Sequence, residues 1–368
     1  MKIAVIAPPW IPIPPPKYGG IEYVVYNLVE GLRALRQDVT LFAPRESSVS
    51  CRNIPYLETN EYFGLDSSEP VKMLVSELAY KYAFSYAAYE KADVIHAHGL
   101  DRSSVDVPTL YTLHGPSNDL AAALCEDISK EDGNYFSPIS NRQKELYLEG
   151  DRSINFTDTV YNCVDVKKFP WKRVKEDFFL FVGRVNWEKG LDLAVRVASK
   201  AGVNLVMAVK MTEDFEKDFF KKEILPWIDR YPQHLFFQFH KEAPKKMIYD
   251  LLSRAKCTLF TSQWEEPFGL VMIESMASGT PVLALNRGAA PEVIVHGKTG
   301  FIVNDEDEMV RATRDVGSIK PEDCRRHVER NFSREIMAKR YLDVYRKICS
   351  RKKEQRKQFF FRNIFSGN

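Results

Sequence analysis

The spacing of apolar and polar residues predicts an α/β protein that begins with a strand, a helix and a second strand. Lys2 to Ala7 (KIAVIA) is an apolar, β-branched run followed by prolines, which is typical of a buried strand. Residues 21–35 (IEYVVYNLVEGLRAL) have helical spacing, and residues 38–44 (DVTLFAP) predict another strand. This β–α–β order is how a doubly wound parallel sheet begins.

The same order begins again in the second half of the chain. Residues 177–184 (DFFLFVGR) predict a strand, and residues 191–202 (LDLAVRVASKAG) predict a helix that ends at glycine, a common helix stop. Further buried strands are predicted at NLVMAV, HLFFQF, CTLFTS and TPVLAL. A polar stretch near residues 170–176 separates the halves. We therefore predict two Rossmann-like βαβ domains, at residues 1–170 and 171–340.

The C-terminal end is charged and helical. A helix at about residues 341–358 is predicted to return to the first domain. In the tail, residues 359–368 (FFFRNIFSGN), aromatic side chains follow a run of basic ones. Such a tail either contacts an anionic membrane surface or is the frayed end of a surface helix.

The amino-acid composition argues against several classes of function. The chain has 52 Lys and Arg residues against 50 Asp and Glu residues, which argues against a nucleic-acid partner. Its six cysteines include no C-x-x-C pair, and neither cysteine nor histidine spacing indicates a metal site. No apolar run approaches the ~20 residues of a membrane span. We expect a cytoplasmic protein without a metal or other cofactor, and the tail is the one feature that suggests peripheral contact with the inner membrane face.

Candidate site residues lie in loops that follow strands, because ligands of doubly wound sheets bind outside the carboxyl ends of the strands. Gly19 and Gly20 follow the first strand and form either a phosphate-binding turn or an ordinary turn. Arg184 and Lys189 follow the first strand of the second half. An arginine fork and a lysine charge can together neutralise a diphosphate, and two solvated surface cations are the alternative.

The WEEPFG loop and the helix after it combine acids with a possible anion site. The backbone N–H groups of Phe268, Gly269 and Leu270 are expected to be free at the helix start, where a phosphate can bind. Glu266 precedes the helix and Glu274 lies inside it, so each carboxylate can accept hydrogen bonds from a different part of one ligand. A capping acid and a surface acid on an ordinary helix are the alternative.

The spacing of Glu266 and Glu274 is the E-x7-E pattern, and here the chain resembles the retaining glycosyltransferases of family 4, which have the GT-B fold. Six further segments resemble family elements and occur in the family's order: GGIEYVVYNLVEGL, TLHG, SPISNRQK, YNCVD, FVGRVNWEKG and APEVIVHGKTGFIV. The resemblance extends to about Tyr345. It implies two Rossmann-like domains that face each other across a cleft.

The resemblance also implies an activity. A hexose-type sugar would pass from a nucleoside diphosphate to an acceptor hydroxyl with retained configuration and without a metal ion. The leaving phosphate would take the acceptor's proton on the same face of the sugar, and a double displacement through a protein nucleophile is the competing mechanism. The acceptor would be a glycan, a lipid-linked sugar or a small molecule. A nucleotide-sugar-binding protein or an epimerase on the same fold is the alternative, and the absence of G-x-G-x-x-G argues against a nicotinamide oxidoreductase.

Residue roles follow from the same resemblance. Arg184 and Lys189 match the cations that hold the diphosphate, and the backbone of residues 268–270 matches the segment that meets sugar and phosphate. Glu266 matches the acid that contacts the donor sugar, and Glu274 matches the acid that contacts the ribose.

First-domain residues complete the implied site. Gly19 and Gly20 match the loop that closes on the diphosphate, and His114 matches the histidine near the reacting sugar. Lys210 stands where the family has a glycine-containing turn, and it is either an additional phosphate or sugar contact or a surface lysine. His240 also replaces a common glycine, so the identity of the nucleotide base stays open.

Overall fold

A computed structural model describes residues 1–16, 19–56, 69–230 and 236–365, with side chains outside residues 69, 70, 72 and 355–365. Contacts divide the chain into two compact units. The N-terminal unit comprises Met1–Asn162 and Arg334–Asn368, and the C-terminal unit comprises Cys163–Ser333.

The observed division lies before the predicted one at residues 170/171. The segment that starts at Cys163 belongs to the C-terminal unit because Val164 N–H donates to the Phe332 carbonyl at 3.0 Å. The other division, before Arg334, also precedes the predicted one, because the Arg334 side chain donates to Asn27 Oδ1 at 2.9 Å inside the N-terminal unit.

The N-terminal unit contains a six-stranded parallel sheet in the order β3-β2-β1-β4-β5-β6. Its strands are β1 Lys2–Ile6, β2 Asp38–Ala43, β3 Arg52–Pro55, β4 Val94–Ala97, β5 Thr109–Thr112 and β6 Asn134–Ser137. Its first helices are α1 Gly20–Ala34, α2 Glu69–Tyr89, α3 Asp119–Ser129 and α4 Asn141–Tyr147. Strands β4, β5 and β6 are buried along their whole length, as expected for a parallel sheet with helices on both faces.

The C-terminal unit repeats this plan with the order β12-β11-β10-β7-β8-β9. Its strands are β7 Phe179–Arg184, β8 Leu205–Lys210, β9 Phe237–Lys241, β10 Cys257–Phe260, β11 Val282–Leu285 and β12 Gly300–Val303. Its helices are α5 Leu191–Ala201, α6 Asp214–Phe219, α7 Leu225–Ile228, α8 Lys245–Arg254, α9 Leu270–Ala277, α10 Ala290–Val293, α11 Glu306–Ala312 and α12 Pro321–Asn331. Helix α5 ends at Gly202 (φ 65°), where its sequence predicts a stop. The prediction of two Rossmann-like βαβ halves is confirmed.

The strand order of the C-terminal unit creates a topological switch point. From β7 the chain moves outward through β8 to β9, and it then returns to β10 on the other side of β7. The loops after β7 and β10 therefore leave the same sheet edge in opposite directions. The crevice between such loops is where open α/β sheets bind ligands.

Helix α13, Arg334–Phe365, returns to the N-terminal unit as predicted, but it is longer than the predicted range 341–358. It packs closely on α1, because a Cβ placed on Gly31 would lie 2.8 Å from the Cβ of Ala338. The backbone of residues 359–365 continues this helix instead of forming a separate tail, and residues 366–368 lie outside the described part. No helix among the described residues is long and apolar enough to cross a membrane.

Candidate functional site

Arg184 ends β7 and is held by a buried acid. Its register partner, Lys210, ends the neighbouring strand β8, so both cations lie at the carboxyl edge of the sheet. Arg184 Nε donates to Glu216 Oε1 at 3.1 Å, and the other oxygen of Glu216 accepts from the N–H groups of Thr212 (2.7 Å) and Glu213 (3.0 Å). Burial raises the pKa of Glu216, but these three donors outweigh it and hold the pKa below the usual value. Glu216 is therefore a charged anchor for the guanidinium.

Lys189 lies in the loop that connects β7 to α5. Gly190 (φ 68°) passes so close to β10 that a Cβ there would lie 2.0 Å from the Thr261 carbonyl oxygen. This turn places the Lys189 ammonium in an ion pair with Glu266 and 5.2 Å from the centre of the Trp264 ring. The structure thus brings together two predicted site residues from the loops on either side of the switch point.

Glu266 is fixed by side-chain and backbone contacts. Besides Lys189, its Oε2 accepts hydrogen bonds from Trp264 Nε1 (2.8 Å) and Ser262 Oγ (3.4 Å). Its side chain is only 12% exposed. A Cβ on Gly288 would lie 2.5 Å from the Glu266 backbone, so the loop after β11 packs directly against it. The carboxylate is therefore preorganised, with its position set by two neighbouring loops.

The N-cap of α9 has no capping side chain. The Phe268 ring is buried and packs against Phe332 at a centroid distance of 6.0 Å. Gly269 is the N-cap with φ 79° and provides no side-chain cap, so the first N–H groups of the helix are not satisfied by a capping side chain. A Cβ on Gly269 would lie 2.7 Å from the Phe260 ring, which leaves room for glycine only. An anion at Phe268, Gly269 and Leu270 would meet backbone N–H groups.

Glu274 lies in the second turn of α9 and is half-buried. Burial raises its pKa to about 7, an effect that the nearby Lys245 ammonium partly opposes. Glu274 in turn helps to raise the pKa of Tyr249 on α8. Near neutral pH its carboxyl group thus exists in both forms and can accept from or donate to a ligand hydroxyl.

His240 lies in strand β9, next to β8, and is the departure from the family pattern that leaves the identity of the nucleotide base open. It pairs in register with Ala208, and its Nε2 is buried with no hydrogen-bond partner among the described residues. Lys210 is half-buried, and its carbonyl accepts the N–H of Val185 at 3.0 Å. Contact of Lys210 with phosphate or sugar stays a prediction.

The N-terminal unit holds the remaining predicted residues. Gly19 caps α1 and Gly20 is its first residue, while residues 17 and 18 lie outside the described part. A Cβ on Gly19 would lie 2.7 Å from both Glu22 Oε2 and Pro15 Cβ, so the backbone there has no room for a side chain. Contact of Gly19 and Gly20 with a diphosphate stays a prediction.

His114 follows β5 and is partly exposed. Its Nε2 lies 2.9 Å from Nδ1 of His98, and the two rings stack with centroids 5.2 Å apart. Burial lowers the pKa of His114 to about 4, so the ring is neutral at physiological pH.

Three contacting residues escaped the sequence analysis: Glu216, Trp264 and His98. Glu216 and Arg184 are far apart in the sequence, and only the fold joins them. The motif DVIHAHG did contain a signal for His98. Residues 96 and 98 are two positions apart, so they lie on the same side of an extended chain that continues from β4. Trp264 stands two residues before the predicted acid Glu266, and its Nε1 donates to that carboxylate. Among the described residues, no group of three or more His, Cys, Asp or Glu side chains is placed to hold a metal ion.

The chain is similar to known proteins in sequence and in structure. Spore coat protein SA of Bacillus subtilis (strain 168) is 25% identical over 94% of this chain and 100% of that protein. AviGT4, a glycosyltransferase involved in avilamycin A biosynthesis, superposes with a TM-score of 0.70 at 25% identity, covering 95% of this chain and 98% of its own. Anabaena Alr3699/HepE in complex with UDP-glucose has a TM-score of 0.71 at 15% identity over 94% and 100% of the two chains, a likeness of fold.

Two family models match consecutive parts of the chain. Glycosyltransferase Family 4 matches residues 18–166, and Glycosyl transferases group 1 matches residues 165–332. The two matches run through both sheets. The chain belongs to the family 4 (group 1) glycosyltransferases, has the GT-B fold and is a glycosyltransferase.

Proposed function

We propose that the protein is a retaining, metal-independent glycosyltransferase that moves a hexose-type sugar from a nucleoside diphosphate to an acceptor hydroxyl. The observation that carries the proposal is the arrangement at the β7–β10 switch point. There the anchored Arg184, the Lys189–Glu266 pair and the uncapped start of α9 lie on adjacent loops.

These groups suit a departing diphosphate. As the bond to the sugar breaks, negative charge grows on the phosphate oxygen. Arg184 donates to Glu216 through Nε, so its two terminal nitrogens can donate to phosphate. Lys189 has three donors, so it can keep Glu266 while it binds a phosphate oxygen. Because Glu216 and Glu266 already fix both cations, little reorganisation is needed in the transition state.

Glu266 and Glu274 are proposed to hold the two ends of the donor. Oε2 of the Glu266 carboxylate accepts hydrogen bonds from Lys189 and Trp264. Its other oxygen can accept hydrogen bonds from sugar hydroxyls. Glu274 is proposed to bind the ribose. A neighbour of the same fold carries UDP-glucose, which supports a nucleotide-sugar donor.

The proposed reaction takes place on one face of the sugar. The bond from the anomeric carbon to the diphosphate oxygen breaks, and the acceptor oxygen bonds to the same face. The acceptor's proton passes to the departing phosphate oxygen. The configuration is therefore retained, and the cations replace a metal ion in stabilising the leaving group.

A donor-turnover assay tests the proposal. The protein is screened with UDP-, GDP- and ADP-glucose by thermal shift, since a ligand that binds the folded state raises its stability. Release of nucleoside diphosphate from the best donor is then measured in EDTA, with water as acceptor when no other is known, and NMR follows the anomer released first. We expect turnover in EDTA and the donor's own anomer. A first product of inverted configuration, or turnover only with added metal, would contradict the proposal.

Matched variants connect this activity to the site. Glu266→Ala should abolish turnover in a folded protein, because it removes the sugar contact and the partner of Lys189. Glu223→Ala replaces an exposed acid of the same unit and should leave turnover unchanged. Equal activity of the two variants would refute the assignment of Glu266.

A further inference from the structure

Three histidines of the N-terminal unit form a connected series from β4 to the end of β5. His96 is fully buried, with Nδ1 2.7 Å from the Tyr345 hydroxyl and Nε2 2.7 Å from Thr112 Oγ1. Its ring lies against that of His98 at a centroid distance of 4.3 Å, with the two planes tilted by 33°. His98 then contacts His114, with 2.9 Å between their nitrogens. The series ends at the one member that keeps partial exposure.

The contact between His98 and His114 can be made in two ways. Burial lowers the pKa of both rings, so both are neutral, and a single proton lies between the two nitrogens. Either His98 Nδ1–H donates to His114 Nε2, or His114 Nε2–H donates to His98 Nδ1. Since a neutral imidazole carries one proton, the choice also fixes the proton on each ring's other nitrogen.

The other nitrogen of His98 distinguishes these arrangements. His98 is 4% exposed, and among the described residues its Nε2 is buried without a hydrogen-bond partner. If His114 were the donor, this position would carry an N–H with no acceptor. Buried N–H groups without an acceptor are rarer in proteins than under-used acceptors.

We propose that His98 is a positioning residue that donates its Nδ1–H to His114 Nε2 and thereby holds His114 as the Nδ1–H tautomer. His114 then presents a fixed N–H donor on its partly exposed edge, where an oxygen of the substrate can accept it. This inference rests on the proposed function, in which His114 contacts the substrate. The sequence resemblance assigns no role to His98.

The tautomer has a chemical consequence. With Nε2 occupied by His98 and Nδ1 already protonated, neutral His114 has no free lone pair with which to act as a base. It can only donate. That property agrees with the proposed reaction, in which the leaving phosphate takes the acceptor's proton, and a neutral imidazole donor is a known way to polarise a substrate oxygen.

Hydrogen bonds and ring contacts of His96 hold the His98–His114 pair in place. Thr112 Oγ1 bonds both His96 and the Tyr341 hydroxyl (2.9 Å), and Tyr341 and Tyr345 both belong to α13. His96 is thereby fixed at both nitrogens, and its ring supports one face of His98. The orientation of His98 is therefore determined by packing before any ligand binds.

Nitrogen-15 NMR of histidine-labelled protein tests the proposal directly. Long-range couplings distinguish protonated from bare ring nitrogens, and the His114 signals are identified by their loss in His114→Gln. We expect His114 to be protonated at Nδ1 and bare at Nε2. The reverse pattern, or a mixture of tautomers, would overturn the inference. This readout needs no turnover, so it is independent of whether the proposed function holds.

Two variants of His98 add a kinetic test. The amide nitrogen of asparagine can take the place of Nδ1, so His98→Asn should keep the Nδ1–H tautomer of His114 and most of kcat. His98→Ala should give mixed tautomers and about a tenfold lower kcat, the value of one hydrogen bond, with donor affinity unchanged. Equal kcat values for the two folded variants would overturn the positioning role. If His98→Ala does not fold, His98→Asn and the wild-type spectrum decide the question.

Discussion

Replacing Glu216 with glutamine tests how Arg184 is held. In the native protein one carboxylate oxygen accepts from two backbone N–H groups, and the other accepts from Arg184 Nε at 3.1 Å. Glutamine has only one oxygen, and its amide nitrogen donates. The oxygen should turn to the backbone pair, so the amide nitrogen would face Arg184 as one donor opposite another. The substitution thus removes the guanidinium contact and preserves the helix start.

The expected magnitude follows from exposure. A hydrogen bond to a charged group is worth about 1.5–3 kcal/mol when buried. Glu216 is buried, but the Arg184 side chain is 40% exposed, so water can replace part of the lost contact. We therefore expect a loss of about 1 kcal/mol in the free energy of unfolding. Arg184 keeps its charge but loses its fixed orientation, so donor binding should weaken about tenfold, which equals about 1.4 kcal/mol.

The assay combines urea unfolding with calorimetric binding of the nucleotide-sugar that binds best in the donor screen. Arg184→Ala and the double variant complete a double-mutant cycle. If Glu216 acts through Arg184, the two binding losses should be non-additive, with a coupling energy of about 1 kcal/mol. Glu223→Gln, an exposed acid of the same unit, is the control and should change neither quantity.

Additive binding losses would refute the reasoning. They would show that Glu216 supports the loop at Thr212 and Glu213 alone and that Arg184 orients itself. A stability loss without any change in donor affinity would refute it equally. In either case the preorganisation of the proposed diphosphate site would have to come from other contacts.

Three further predictions concern other parts of the chain. Because burial raises the pKa of Glu274 to about 7, its stabilising contribution is complete below its usual pKa and is lost as pH rises through about 7. The thermal midpoint of Glu274→Gln should therefore exceed that of the wild type at pH 8, with a difference that disappears below about pH 4.5; an equal difference at both pH values would contradict this. Gly269→Ala should cost about 2–4 kcal/mol in urea unfolding, because it adds a collision with Phe260 to the strain of positive φ, whereas Gly297→Ala, with positive φ and open space, should cost about 1 kcal/mol. Equal costs would show that strain alone matters. If the C-terminal helix contacts membranes, the protein should co-sediment with anionic but not neutral vesicles, and the charge reversal R351E/K353E at two exposed positions should abolish this. Co-sedimentation that survives the reversal would contradict that role.

The fold was largely predictable because buried parallel strands are apolar runs. KIAVIA became β1 (Lys2–Ile6), and DFFLFVGR became β7 (Phe179–Arg184). The location of the candidate residues in the C-terminal unit was also predictable, since ligand-binding loops follow strands at a switch point, and their roles stay a prediction. Arg184, Lys189 and Glu266 lie there because their loops leave the same edge. The exact ends of α13 were not predictable, because its N-terminal turn depends on contact with α1.

The supporting residues could not be predicted from local pattern. In the sequence, Glu216 looks like an ordinary acid in the first turn of a short helix. One of its oxygens accepts a hydrogen bond from Arg184 only once the sheet has folded. The contacts of His96 with Tyr345 and Thr112 likewise join distant segments. Spacing along a helix or strand reports which face is buried, but it does not report which buried polar groups meet.

The division of the chain has a consequence for the order of synthesis. The N-terminal unit combines Met1–Asn162 with Arg334–Asn368, whereas the C-terminal unit is one uninterrupted segment whose ends meet where Val164 pairs with Ser333. Domains of a growing chain generally fold as units from the N-terminus. Here the segment inserted in the middle can complete its fold first. His96 obtains its hydroxyl partner from Tyr345 only when α13 is made, so strand β4 reaches its final contacts only after the C-terminal unit has been synthesised.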